Sequence, residues 1–146
     1  FQKAFGNDNP VALEIGCGKG GFVIQLAQAN PNVNYLALEK MSNVILTPLE
    51  EVKKQGIENI RFLNIRAECI PCYIPENSLD VIYLNFSTPL PKLGYATQRL
   101  THRNFLETYK KLNSSTLGSH VQIYNTSEFY NLGDCMLWDY MYNLNY

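Results

Sequence analysis

Residues 11–15, Val-Ala-Leu-Glu-Ile, form a short apolar run broken only by Glu14, and the run stops at a cluster of glycines. An apolar stretch of this length ending at glycine predicts a buried strand. Residues 20–29 then place Phe22, Val23, Leu26 and Ala27 at helical spacing, and Asn30-Pro31-Asn32 breaks the chain. A second strand is expected over 34–39, through Tyr35, Leu36, Ala37 and Leu38. Residues 44–55 predict a helix with Val44, Ile45, Leu49 and Val52 on one stripe. Pro48 should kink that helix or mark a late start, and Gly56 should end it. Residues 60–65 predict a third strand. Residues 79–86, Leu-Asp-Val-Ile-Tyr-Leu-Asn-Phe, are the most strand-like segment and predict a fourth. Residues 101–112 carry Phe105, Leu106, Tyr109 and Leu112 on one helical face, and 119–124 predict a fifth strand. The tail from 128 holds Phe129, Tyr130, Trp138, Tyr140, Tyr142 and Tyr146 with few charges, the composition of a docking helix.

Strands alternating with helices predict an α/β fold: a mostly parallel, Rossmann-like sheet with helices on both faces. No repeat or linker divides residues 1–146, so a single domain is expected. Ligands of such sheets bind at the carboxyl ends of the strands, near the point where strand order reverses. The composition fits this reading. A chain of 146 residues with 46% hydrophobic and 17% charged positions can bury its own core, and its seven prolines and nine glycines exclude disordered, collagenous and coiled-coil classes. No apolar run approaches the length of a membrane span. No basic-then-apolar leader follows Phe1, so the expected location is the cytoplasm, and the missing initial Met predicts a trimmed chain.

The net charge of −1 names no partner. Its distribution says more: Lys92, Arg99, Arg103, Lys110 and Lys111 stand against Glu107 alone, while the rest of the chain has seven bases and twelve acids. A basic segment on an acidic body suits a polyanion, and it equally suits a solvated helix face. Cys69-Ile-Pro-Cys72 is a CxxC, but no second pair of Cys or His stands at finger spacing, and Pro71 and Pro75 predict a loop. No metal site is expected. His102 and His120 are single and far apart; His102 is expected to cap a helix or face solvent.

The first strand runs into Glu14-Ile-Gly16-Cys-Gly18-Lys-Gly20-Gly21. Glycines at 16, 18 and 21 have the spacing of a dinucleotide-binding turn, and Glu39 follows about 20 residues on, where an acid accepts hydrogen bonds from a ribose diol. Either a nicotinamide dinucleotide or S-adenosylmethionine fits this spacing. Glu14 favours the second, because an acid two residues before the turn would repel a pyrophosphate and attract an ammonium group.

Leu13-Glu-Ile-Gly-Cys-Gly-Lys-Gly-Gly-Phe22 resembles the cofactor turn of class I methyltransferases. The surrounding series is more specific: Phe5-Gly6-Asn7-Asp8-Asn9-Pro10, Ala37-Leu38-Glu39-Lys40, Leu63-Asn-Ile65, Tyr83-Leu-Asn-Phe-Ser87, Pro89-x-Pro91-Lys92 and Arg99-Leu-Thr-His-Arg-Asn-Phe-Leu106. In that order these motifs closely resemble the bacterial tRNA (guanine-N7)-methyltransferase family, from about Phe5 to Phe129. The resemblance implies a class I methyltransferase sheet whose last strands are missing here, S-adenosylmethionine as methyl donor, and a guanine in the tRNA variable loop as acceptor. It implies cofactor contacts at Glu14, Gly16, Gly18 and Glu39, a substrate contact at Lys92, and an RNA contact at Arg99. It leaves open whether the protein is a monomer or a homodimer.

Several positions depart from the family pattern. The family reads Ser-Asp-Pro-Trp-Pro-Lys where this chain reads Ser87-Thr88-Pro89-Leu90-Pro91-Lys92, so Thr88 replaces the acid held to be catalytic and Leu90 replaces an aromatic. Residues 93–98 have lost most of a basic run, Arg66 stands where the family has an acid, and Tyr124 replaces the acid after the fifth strand. Guanine N7 carries a lone pair, so the reaction needs positioning more than a strong base. A threonine at 88 cannot steady the charge that develops on the ring. The alternative to an active enzyme is therefore an impaired cofactor- or RNA-binding relic of the same fold, and a nicotinamide-dependent oxidoreductase is a third reading.

Overall fold

The computed structural model describes residues 1–88 and 90–113. A short helix α1 (Gln2–Phe5) leads to β1 (Val11–Ile15), α2 (Gly21–Ala29), β2 (Asn34–Leu38), α3 (Ser42–Gln55) and β3 (Ile60–Leu63). A 3₁₀ turn (Ala67–Cys69) and the short α4 (Ile70–Tyr73) precede β4 (Val81–Tyr83), and a second 3₁₀ segment (Leu93–Gln98) precedes α5 (Arg103–Leu112). The expected fifth strand and the aromatic tail lie outside the described residues.

The four described strands are all parallel, in the order β3-β2-β1-β4. Strand order therefore reverses between β1 and β4, which makes the carboxyl ends of those two strands the place for a ligand. β1 and β2 are buried along their whole length, which is why they read as unbroken apolar runs. Alternate side chains serve two cores. Val11, Leu13, Ile15, Leu36, Leu38 and Ile82 pack with Phe105, Leu106, Tyr109 and Leu112 of α5. Ala12, Tyr35 and Ala37 pack on the other face with Val23, Ile24 and Ala27 of α2 and Val52 of α3. Helices thus cover both faces.

The amino ends of the strands are tied down by the segment before β1. Asn34 Nδ2 donates to Asn7 Oδ1 at 2.7 Å, the Asn34 amide donates to the Pro10 carbonyl at 2.8 Å, and Arg61 Nε donates to the Ala4 carbonyl at 2.8 Å. These contacts hold the end of the sheet opposite the glycine turn.

The structure corrects four expectations. α3 begins at Ser42 and continues through Pro48, so the proline does not mark its start, and its buried stripe is Ile45, Pro48 and Val52, while Leu49 is exposed. The Pro48 ring is buried against Gly20: a Cβ built on Gly20 would lie 2.5 Å from Pro48 Cβ. Phe22 is more exposed than its helical spacing implies, with its ring edge-on to Tyr83 at 5.2 Å. β4 is three residues long rather than eight, since β1 pairs only with Val81–Tyr83 and Phe86 takes φ 50°, which ends the extended run. Cys69 and Cys72 lie on the 3₁₀ turn and α4 rather than in an irregular loop, because Pro71 occupies the first turn of α4, where its missing N–H costs nothing. α5 begins at Arg103, and His102 caps it, its Nδ1 accepting from the Asn104 amide at 3.2 Å.

Candidate cofactor and substrate site

Period-2 alternation puts Glu14 on the α2 face of the sheet, beside Ala37 and Tyr83 in the register of its neighbours. It is the acidic member of an otherwise apolar face and only 3% exposed. Asn85 Nδ2, just past the end of β4, donates to Glu14 Oε1 at 3.0 Å. Glu14 Oε2 is buried with no hydrogen-bond partner among the described residues. Burial pushes the Glu14 carboxyl above its ordinary pKa, while the bond from Asn85 and, less strongly, the Val23 backbone pull it back. A buried carboxylate oxygen left unpaired is costly. Such an atom fits a donor carried by a ligand.

The turn that follows is built for close approach. Gly16 and Gly18 take φ +81° and +54°, conformations that side chains disfavour, and nothing lies within 4 Å of where a Cβ would stand on either. The amides of Gly16 and Cys17 both donate to the Leu38 carbonyl, at 2.8 and 2.9 Å, which locks the turn to the end of β2. One residue further, Glu39 reaches back across the turn. Its Oε2 accepts from the Gly18 amide at 3.2 Å and its Oε1 from the Met41 amide at 2.9 Å. Asn64 Nδ2 donates to the Glu39 carbonyl at 2.8 Å and fixes the backbone there. A carboxylate accepts about four hydrogen bonds, so both oxygens keep capacity for the hydroxyls of a sugar. Glu14, Gly16, Gly18 and Glu39 are thus brought together at the carboxyl ends of β1 and β2. Cys17 between the two acids is an inert thiol: burial first, then the charges of Glu14 and Glu39, push it up to about 12.

The segment after β4 starts from Asn85 and so from the same place. Thr88 and Lys92 are exposed on it, and Lys92 leads into the 3₁₀ segment. Arg99 is placed differently from an open phosphate contact. It is 8% exposed, and its Nε and Nη2 donate to the Leu90 carbonyl at 3.1 and 3.0 Å. Arg66 is exposed and 3.6 Å from Glu68. Sequence reasoning assigns no role to Asn85 or Asn64. Each is a lone amide at the point where an apolar strand runs out, which is the signal that could have marked them.

The family model described as "Putative methyltransferase" matches residues 8–143, and the chain belongs to that family of methyltransferases. A tRNA (guanine-N(7)-)-methyltransferase of Geobacillus sp. (strain WCH70) is 41% identical over 112 residues, covering 77% of this chain and 51% of its own length. A protein of the same description from Streptococcus thermophilus (strain CNRZ 1066) is 36% identical over 129 residues, covering 88% of this chain and 61% of its own. The chain spans between half and two-thirds of the length of these curated relatives. The crystal structure of a rRNA methylase from Streptococcus thermophilus matches the fold at 15% identity with a TM-score of 0.64, over 96% of this chain and 72% of that one. No described helix is long and apolar enough to cross a membrane.

Proposed function

We propose that this chain binds S-adenosylmethionine at the β1 turn and takes part in methylating N7 of a guanine in the variable loop of tRNA, in the cytoplasm. The observation that carries this reading is the unpartnered, buried Oε2 of Glu14 beside an open glycine turn. Glu14 would hold the ammonium of the amino-acid end, the Gly16–Gly18 backbone would pass beneath the nucleoside, and Glu39 would hold the ribose diol. An orphaned acid suits a cation, and a dinucleotide offers only pyrophosphate there. When bound, S-adenosylmethionine supplies an electrophilic methyl group. The residues of this chain then have to orient the guanine so that its N7 lone pair faces that methyl, and to exclude water. Lys92, exposed and two residues beyond Leu90, would meet the RNA backbone.

Thr88 favours a second reading, an impaired relic that keeps the cofactor and has lost the chemistry, since a hydroxyl cannot balance charge developing on the ring as a carboxylate can. Calorimetry of the full chain with S-adenosylmethionine, followed by methyl transfer to unmodified tRNA with nucleoside analysis, separates the two. Binding with 7-methylguanosine formed is the expected result. Binding without transfer favours the relic, and no binding overturns both. Replacing Thr88→Asp together with Leu90→Trp should raise transfer roughly 10–100-fold if the loop is the reacting site. An unchanged rate with cofactor affinity intact would count against that loop.

A further inference from the structure

We propose that Arg99 is a positioning residue that fastens the loop bearing Thr88 and Lys92 to the core, and that it does not contact RNA phosphate. Its consequence for catalysis rests on the function proposed above; its hold on the loop does not. Three observations converge. Arg99 is buried in a segment whose other bases, Lys92, Arg103, Lys110 and Lys111, are exposed. Its Nε and Nη2 grip one carbonyl, that of Leu90, from two positions of the planar guanidinium. Leu90 itself sits at φ 45°, and Phe86, 73% exposed, at φ 50°. Bulky residues in the left-handed region persist only where something outside the turn holds them there.

The anchor is firm on its own side. The Arg99 amide donates to the Ala96 carbonyl at 3.2 Å, and the Arg99 carbonyl accepts from the His102 amide at 2.8 Å. His102 caps α5, and Phe105, Leu106, Tyr109 and Leu112 bury α5 in the core. A continuous path therefore runs from the core through α5 and Arg99 to Leu90, two residues from Thr88 on one side and two from Lys92 on the other. Asn85 ties the opposite end of the same loop to Glu14. The loop is held at both ends, once to the cofactor turn and once to α5. A lysine could replace Arg99 as a phosphate contact, but its single ammonium could not reproduce the fork.

Arg99→Lys, Arg99→Gln and Lys92→Ala in the full chain test this. Trypsin cleavage after Lys92, followed by mass spectrometry, reads the hold on the loop. We expect it to quicken at least tenfold in both Arg99 variants, with cleavage after Lys53 and Lys54 unchanged. The salt dependence of tRNA affinity reads phosphate contact, each contact contributing about 0.7–0.9 to the logarithmic slope. That slope should stay at the wild-type value in Arg99→Gln and fall in Lys92→Ala. In the methyl-transfer assay, kcat should drop at least tenfold in Arg99→Lys while KM moves less than threefold. Wild-type cleavage after Lys92 in both Arg99 variants, or a slope reduced by one contact in Arg99→Gln with full rescue by Arg99→Lys, overturns the proposal. A wild-type chain that neither binds tRNA nor transfers methyl defeats the proposed function alone, because the cleavage comparison still decides what Arg99 holds.

Discussion

Glu14 is kept at a cost. An acid on an apolar sheet face, with one oxygen paired to Asn85 and the other to nothing described, destabilises the folded state whenever it is ionised. Because folding raises its pKa above the ordinary 4.5, the folded protein holds that proton more tightly than the unfolded chain does. Its contribution to stability is complete below pH 4.5 and is lost as pH rises through the raised value. Glu14→Gln should therefore be more stable than the wild type at pH 7, by about 1 kcal/mol, with the gap closing in acid. The same change should weaken S-adenosylmethionine at least tenfold, about 1.4 kcal/mol, and remove the fall in affinity expected of the wild type as pH drops through the Glu14 pKa. Thermal unfolding across pH and calorimetry measure the two effects. A variant that binds as tightly as the wild type would show that the carboxylate serves the fold and not a cation.

Helices α2 and α3 meet at a point that periodicity alone does not disclose. Gly20 caps α2 at φ +76°, and Pro48 lies against it from the middle of α3. Spacing puts Leu49 on the buried stripe with Ile45 and Val52, but it is Pro48, one position earlier, that lies against Gly20, and Leu49 is left exposed. Gly20→Ala should cost about 2–4 kcal/mol, combining a left-handed alanine with an overpacked contact. Pro48→Gly in the same chain, which removes the clashing Cβ, should restore part of the loss, and urea unfolding of the four members of that cycle measures the coupling. Independent, additive effects would mean that the two residues do not share the site. Elements with a strong local rule are legible in the sequence: the glycine-ended β1, α5 with its four buried positions, Gly56 as the stop of α3. The length of β4 is not, because it is set by the reach of its partner β1 and by the turn at Phe86, both features of the assembled sheet. The acids and glycines of the candidate site stand out because polar and turn residues interrupt apolar strands. The role of Asn85 and the burial of Arg99 are hidden, since one depends on strand order and the other on a contact with Leu90.

At the scale of the molecule, strand order brings residues distant in sequence to one edge of the sheet. The β1 turn, the end of β2 and the segment leaving β4 converge there, and hydrogen bonds link them pairwise: Gly16 and Cys17 to Leu38, Gly18 to Glu39, Asn85 to Glu14. A ligand seated among them would touch all three elements, and would stabilise the whole fold because the unfolded chain offers no such site. At a concentration of 100 times its Kd such a ligand adds about 2.7 kcal/mol. For a chain of this size that corresponds to roughly 5–10 °C in unfolding temperature. S-adenosylmethionine and its demethylated product should both produce the shift, since the acids would grip parts they share, and NADH should not. In Glu39→Ala the shift should shrink at a ligand concentration about 100 times the wild-type Kd, because the proposed ribose contact would be lost. An equal shift with NADH would instead assign the glycine turn to a dinucleotide, and with it the sheet edge to hydride transfer rather than methyl transfer.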